Sequence, residues 1–437
     1  MHNRNDEMTI RQLALDIYLE ILKGEYSHIV LRGALDKVDY LDQKQKAFIK
    51  MLVCGTLERR IECDYILDLY SSVKTPKMQK ILRATLEMAV YQIIYMDKVY
   101  ESLACNVAVN IIKRRKLGNL AGFANAVLRK VVTNKDNIPY PKEEDNPALY
   151  LGVKYSMPPV VLKMLMRDYS LDEVKKILKN IYEIKGLSVR VRDNVSKEEE
   201  EALVEAWKKA GISVESASID KVYILGHTDN IRNLAGFDDG KIMIQDIGSI
   251  LAGRACNYPD AEVIIDMCAA PGSKSVQLAD MHPNAKVYSF DVSERKVDLI
   301  KENISRLGIK NIETKVNDGT LYNPEFENKA DVILCDVPCS GLGVMGRKQD
   351  IKYRINEEEI KSIVALQKAI VTNAAKYLKK GGHLIYSTCT INKDENERMA
   401  AWIIETLGLK AEPDSTIVLL PGDKGSDGFY VTAFVRE

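Results

Sequence analysis

No apolar run in this sequence is long enough to span a bilayer, and the opening residues, Met1 to Glu7, lack the pattern of a signal peptide. A cytoplasmic protein with no membrane partner is therefore expected. A disulfide framework is excluded as well, because the eight cysteines are scattered among strand-like and helical runs without a repeating spacing. Histidine is scarce: the five residues are dispersed, no Cys/His cluster accompanies Cys335 and Cys339, and no metal site is expected. Net charge is also missing, with 62 basic residues balancing 62 acidic ones, so bulk electrostatics neither favour nor disfavour nucleic acid. The distribution is uneven, however. Met1 to Tyr140 holds about 22 Lys/Arg against about 16 Asp/Glu, and the densest basic run is Lys113-Arg114-Arg115-Lys116. Such a run either touches phosphates or ends a solvated helix.

What remains is a 437-residue chain, 46% hydrophobic and 28% charged, too long for a single core. From Met8 to about Thr133 the apolar residues recur at the helical period, as in Ile10–Leu22, Gln43–Glu58, Met78–Met96 and Ser102–Lys113. No strand is evident there, so residues 1–136 read as a helical bundle. Three prolines among charges at Pro139, Pro141 and Pro147 mark 137–156 as a linker. Residues 157–255 read as a small α/β module, with strand-like Leu187–Arg192, Val222–Leu225 and Lys241–Asp246. Arg190 and Arg192 lie on the polar face of the first of these, either to meet RNA backbone or as ordinary surface charge. From 256 to 437, strands alternate with helices as in a doubly wound parallel sheet, and the last two strands form an antiparallel hairpin.

Two of these strands end in chemistry. Ala330–Leu334 runs into Cys335-Asp336-Val337-Pro338-Cys339-Ser340-Gly341, and His383–Tyr386 into Ser387-Thr388-Cys389. A long helical segment from about Asn356 to Lys380 between them permits a crossover, so the strands can be parallel neighbours with both ends at one cleft. Cys339 and Cys389 with Asp336 between them suggest covalent catalysis on an electrophilic ring. Cys268 and Cys335 read as packing.

A ligand loop precedes them. Cys268-Ala269-Ala270-Pro271-Gly272-Ser273-Lys274 follows a strand, and its small residues let a ligand approach before a helix begins. The next strand ends in Asp291, placed to accept from ribose hydroxyls, and the third in Asn317-Asp318-Gly319, placed to meet an adenine edge. Singly, either aspartate reads equally well as a cap or turn residue. Together with the loop they favour a nucleoside without a pyrophosphate. S-adenosyl-L-methionine fits the acidic lining because its sulfonium is cationic.

At these residues the chain resembles the Sun/RsmB family of ribosomal RNA cytosine-5 methyltransferases. The likeness is carried by Cys268–Lys274, Asp336-Val337-Pro338-Cys339-Ser340-Gly341 and Ser387-Thr388-Cys389. Asp64-Tyr65-Ile66-Leu67 and Phe123–Arg129 are similar to the family's NusB-type RNA-binding domain. The resemblance implies an all-α NusB-like bundle, a small α/β RNA-binding module and a Rossmann-like methyltransferase domain. It also implies a ribosomal RNA partner, naked or in an early-assembling small subunit, and a monomeric chain. By the same resemblance Cys389 is the nucleophile and Cys339 helps release the product, while Cys268–Lys274, Asp291, Asp318 and Asp336 hold the cofactor. Asp336 is expected to hydrogen-bond the base, and Lys274 to supply positive charge near Cys389. The chain departs from the family at Ser273, where a second glycine is more usual, and at Gln349, where a proline precedes the aspartate more often. An inactive RNA-binding protein, a protein or DNA-amine methyltransferase, and a transfer RNA methyltransferase are the rival readings.

Overall fold

The structure, a computed structural model, describes residues 2–183, 186–226, 228 and 231–437. It divides into two units. The first comprises the residues up to Leu171 together with Arg347–Asn356, and the second comprises Asp172–Gly346 with Glu357–Glu437.

The first unit is helical: α1 (His2–Ile21), α2 (Ser27–Leu35), α3 (Gln43–Glu58), α4 (Arg60–Tyr70), α5 (Lys80–Tyr95), α6 (Glu101–Arg114), α7 (Ala121–Asn134), α8 (Pro147–Lys154) and α9 (Pro159–Asp168). Helix α3 shows why such segments form. Asp42 and Gln45 close a capping box at its start, and Ile49, Leu52, Val53 and Leu57 fall on one buried face. That face joins Leu15 and Tyr18 of α1 in one apolar cluster, while α4, α5, α6 and α7 close around a second. Two helices escape the apolar pattern. Helix α2 is short, and its first residue is held by Asp350, which accepts from both the Ser27 amide and hydroxyl. Helix α8 lies inside the stretch read as linker; Asn146 caps it by accepting from the Leu149 amide, with Pro147 in the first turn.

The second unit begins with α10 (Leu171–Ile181), β1 (Leu187–Val191), α11 (Lys197–Lys209), β2 (Ser213–Ser216), β3 (Val222–Gly226) and β4 (Ile242–Ile244). Its four strands make an antiparallel sheet in the order β2-β3-β1-β4, packed around Trp207. Arg190 on β1 and Arg192 just past its end are not available to RNA. Both are buried, 2% and 6% exposed, and they converge on Asp280. Arg192 Nη2 lies 2.7 Å from that carboxylate, and its Nη1 donates to the Gly240 and Leu307 carbonyls at 2.8 Å each. The polar face of the strand is therefore an internal face, which corrects both readings of the pair, RNA contact and ordinary surface charge.

After α12 (Ile247–Arg254), the chain alternates β5 (Val263–Asp266), α13 (Ser273–Met281), β6 (Lys286–Asp291), α14 (Glu294–Leu307), β7 (Ile312–Val316), β8 (Ala330–Asp336), α15 (Glu357–Tyr377), β9 (Leu378–Thr388) and α16 (Glu397–Leu407). It ends in β10 (Lys410–Ala411), β11 (Ile417–Leu419) and β12 (Phe429–Val435). The sheet runs β10-β12-β9-β8-β5-β6-β7. The strands from β9 to β7 are parallel, and β12 is antiparallel to β9 and to β11. Strand β8 is buried on both faces, Ile333 and Cys335 in one apolar cluster and Val332 and Leu334 in the other. Among the described residues no helix is long and apolar enough to cross a membrane, and no group of side chains is arranged to hold a metal.

The arginine cluster carries a prediction. Removing Asp280, which is 3% exposed at its side chain, strands two buried guanidinium groups. Asp280→Ala should cost about 3–5 kcal/mol of stability in this unit. Urea unfolding followed by the fluorescence of Trp207 and Trp402 reads it; a loss under about 1 kcal/mol, the range of exposed ion pairs, would mean that the cluster is solvated.

Candidate functional site

The carboxyl ends of β5, β6, β7 and β8 bring four carboxylates to one edge of the sheet: Asp266, Asp291, Asp318 just past β7, and Asp336. Between β5 and α13 runs Met267–Gly272. The Ala269 amide donates to the Phe290 carbonyl at 2.8 Å and the Ala270 amide to Asp291 Oδ2 at 3.0 Å, which straps the loop to β6. Gly272 has φ +103°, and a Cβ there would sit 3.1 Å from Ile300 Cγ2, so glycine is required on both counts. Ser273 and Lys274 then open α13.

Asp291 also accepts from the Val292 amide at 2.8 Å and pairs with Lys296 at 3.0 Å. Asp318 Oδ1 accepts from the Thr320 amide and hydroxyl at 2.9 and 2.7 Å. Both aspartates thus brace turns, and each carboxylate keeps lone pairs for a ligand. Among the described residues, Asp266 Oδ1 and Asn317 Nδ2 are buried at this edge with no hydrogen-bond partner. Asp266 takes the Ser275 hydroxyl at 2.7 Å on its other oxygen, and burial pushes its carboxyl up to about 7.

Asp336 and Ser387 are register partners on neighbouring parallel strands, and the Ser387 hydroxyl donates to Asp336 Oδ1 at 2.8 Å. Lys274 closes on Oδ2 at 2.6 Å. Burial opposes the Lys274 charge, but Asp336 outweighs it and holds the ammonium above its ordinary range, with a further contribution from Cys389. Beyond these strands Cys339 and Cys389 stand with their sulfurs 3.3 Å apart. The hydrogen bond to Cys389 and burial both push the Cys339 thiol well up, and the charge of Glu395 adds to them. All four catalytic candidates, Cys339, Cys389, Asp336 and Lys274, therefore fall in one cluster. Cys335 is fully buried in the core, and Cys268 packs against it, as their packing reading requires.

The residues that hold the two thiol loops escaped the sequence reading. Glu395, wholly buried, accepts from the Ser340 amide at 2.8 Å, Asn392 Nδ2 at 2.9 Å and Gln367 Nε2 at 3.1 Å. Gln367 also donates to the Pro338 carbonyl at 3.0 Å. Asn396 accepts from the Thr388 hydroxyl at 2.6 Å and donates to the Thr390 carbonyl at 3.0 Å, bracketing Cys389. Glu395 sits in Lys393-Asp394-Glu395-Asn396-Glu397, which reads as an exposed helix start; only the polar Gln367 on α15 hints at a buried acceptor. Gly343 finishes the frame. Its amide donates to the Cys389 carbonyl at 3.0 Å, and a Cβ there would lie 2.0 Å from the Gly428 carbonyl oxygen.

A family model described as 16S rRNA methyltransferase RsmB/F matches residues 255–435, and one described as the NusB family matches residues 8–133. The chain is 31% identical to a probable ribosomal RNA small subunit methyltransferase B of Bacillus subtilis, over 98% of this chain and 99% of the other. It is 29% identical to ribosomal RNA small subunit methyltransferase B of Proteus mirabilis, over 89% and 90% of the two chains. The crystal structure of PH0851 superposes over 98% of this chain and 99% of its own, with a TM-score of 0.79 at 24% identity. That of NSun6 from Pyrococcus horikoshii with SFG covers 64% of this chain and 98% of its own, with a TM-score of 0.58 at 21% identity. These two likenesses speak for the fold.

Glu395 supports the loop that carries Cys339, and its loss leaves buried donors unpaired. Glu395→Ala should cost about 1–3 kcal/mol for each stranded donor and raise alkylation of Cys339 by iodoacetamide several-fold, read by peptide mass spectrometry. Unchanged labelling would show that the loop does not lean on this carboxylate.

Proposed function

The chain belongs to the ribosomal RNA small subunit methyltransferase B family, and we propose that it methylates C5 of a cytosine in small-subunit ribosomal RNA through a transient bond between Cys389 and C6. Its N-terminal helices are a NusB domain and its C-terminal sheet a methyltransferase fold that uses S-adenosyl-L-methionine. The single observation that carries the finer reading is the pair of thiols 3.3 Å apart beside the Lys274–Asp336 ion pair.

The residues present suit the cofactor. Four carboxylates at the strand ends complement a sulfonium, Asn317 Nδ2 lacks a protein acceptor, and the loop from Cys268 to Lys274 brings backbone rather than bulk to the ligand. When bound, S-adenosyl-L-methionine supplies an electrophilic methyl group. Asp291 and Asp318 would hold its sugar and base, with Cys268, Ala269, Ala270, Pro271, Gly272 and Ser273 against the remainder.

Cytosine C5 is a weak nucleophile. Addition of the Cys389 thiolate to C6 makes C5 electron-rich and divides one hard step into two easier ones. Asp336 accepts from the exocyclic amine and from N3, which takes a proton from solvent as charge enters the ring and returns it when the ring is restored, and Lys274 pairs with that carboxylate while lending positive charge to Cys389. Alkylation of Cys389 then removes the largest influence that keeps Cys339 protonated, its hydrogen bond to the neighbouring sulfur. Cys339 gives its proton to solvent and its thiolate takes the proton from methylated C5. The C–H electrons restore the C5–C6 double bond, and Cys389 leaves as a thiolate. The base enters unpaired or extruded.

Cys389→Ala should abolish both methylation and any covalent RNA adduct. Cys339→Ala should retain attack but block release, so that an adduct accumulates as a slow-migrating band on a denaturing gel. An adduct that persists without Cys389 would overturn the assignment, and bisulfite sequencing of the RNA product tests the choice of C5.

A further inference from the structure

Five of the thiols lie in the second unit, and they are not equally reachable. Cys256 and Cys335 are fully buried, and Cys268 packs against the core. Cys339 and Cys389 are both partly exposed, with their sulfurs 3.3 Å apart. The reaction proposed above needs each sulfur at the base, so their contact with one another is a property of its own. That contact is clamped on either side. Before the thiols, the Ser387 hydroxyl ties the paired strands to Asp336 at 2.8 Å. Just after them, the Ser340 and Thr390 hydroxyls share a hydrogen bond of 2.7 Å, and the Gly343 amide donates to the Cys389 carbonyl at 3.0 Å. Held in this way the sulfurs cannot drift apart, and an approach of roughly 1.3 Å brings them to bonding distance.

We infer that Cys339 and Cys389 close into a reversible disulfide when the chain meets a peroxide, which switches off attack on RNA and shields the nucleophile from irreversible oxidation. The consequence for activity rests on the reading of Cys389 as nucleophile, whereas the bond itself needs neither RNA nor methyl donor. Lys274 supplies the positive charge that favours the Cys389 thiolate, the form that oxidants attack. That thiolate takes one peroxide oxygen, the O–O bond breaks, and the departing hydroxide becomes water with a proton from solvent. Cys389 is left as a sulfenic acid, and its sulfur no longer keeps Cys339 protonated. The Cys339 sulfur then attacks it. The S–S bond forms as the S–O bond breaks, and the leaving hydroxide takes the Cys339 proton as a second water. Two thiols have lost two electrons and one peroxide has gained them. A reducing thiol reverses the bond by exchange. Without the partner sulfur, the sulfenic acid meets further peroxide and becomes a sulfinic acid, which thiols do not reduce. Cys339 thus has a second task, that of a resolving thiol. Asp291 and Asp318 at the cofactor edge take no part, so the oxidised chain keeps its hold on the methyl donor.

The test treats the full chain with hydrogen peroxide in the absence of RNA and methyl donor, blocks the remaining thiols with iodoacetamide and reads the peptides by mass spectrometry. The expected product is a cross-linked pair of peptides joined at Cys339 and Cys389, two hydrogens lighter than its parts. Methyl transfer should fall at least about tenfold and return with dithiothreitol, while calorimetric binding of S-adenosyl-L-methionine stays within about twofold. Cys339→Ser should give no cross-link and carry Cys389 as the sulfinic acid, and dithiothreitol should not restore its ability to form the RNA adduct. A sulfinic Cys389 in the parent chain at the rate seen in Cys339→Ser overturns the inference and leaves the reaction standing. So does a bond to Cys268 instead, or peroxide that leaves both thiols unmodified. A reversible cross-link in a chain that transfers no methyl group when reduced would uphold the bond and sink the reaction.

Discussion

The pairing of β8 with β9 in register, Asp336 opposite Ser387, is the constraint from which the site follows. Side chains alternate across a strand, so a slip of one residue would send Asp336 to the opposite face of the sheet and turn the following loops with it. Register is well specified here because both faces are buried: Ile333 and Cys335 fill one core and Val332 and Leu334 the other. Parallel pairing also demands a long connection, and α15 provides it. The same helix carries Gln367, which reaches back to the Pro338 carbonyl. One crossover therefore places the strands and pins the loop that leaves the first of them.

Around that frame, burial and charge oppose each other in a graded way. Lys274 and Asp336 lie 2.6 Å apart, so each supplies the counter-charge whose absence would be costly at this site. Asp266 has no cation so close, accepts one hydroxyl and is driven up to about 7. Cys339 feels the neighbouring sulfur, burial and Glu395 together and holds its proton. Groups whose environments push their proton affinities apart are what a reaction with separate addition and release steps requires.

Much of this was legible along the chain. Strand ends announced themselves because apolar β-branched runs stop abruptly at Cys335-Asp336 and at Ser387-Thr388, and the small-residue loop from Cys268 to Lys274 follows the same rule. Helices with a full apolar face were equally plain, α3 at Gln43–Glu58 among them. What stayed hidden depends on partners far away in the chain. Helix α2 has one strongly buried apolar residue, Leu31, and its start is held by Asp350, 323 positions on. Arg190 and Arg192 look like a solvated face until Asp280, about ninety residues later, is placed beneath them. Glu395 reads as surface charge for the same reason: the donors that make it a buried acceptor come from the Cys339 loop and from α15. Periodicity reports which face is apolar, and it says nothing of polar groups that bury one another.

The segment Arg347–Asn356 applies the same reasoning to function. It follows the Cys339 loop in the chain, only eight residues beyond the sulfur, yet it is part of the helical unit. Asp350 holds the start of α2, Tyr353 donates to the Leu57 carbonyl at 2.8 Å, and Lys352 donates to the Glu58 carbonyl at 2.8 Å. Burial pulls the Lys352 ammonium down to about 7, so this contact is costly and is held by its surroundings. Arg354 donates to the Gly24 carbonyl and lies 4.0 Å over the Tyr26 ring. Ten residues from between β8 and α15 complete the packing of the helical unit. The helical unit is thus completed by a segment that neighbours Cys339 in sequence, while the loop that carries Cys339 is held by Glu395.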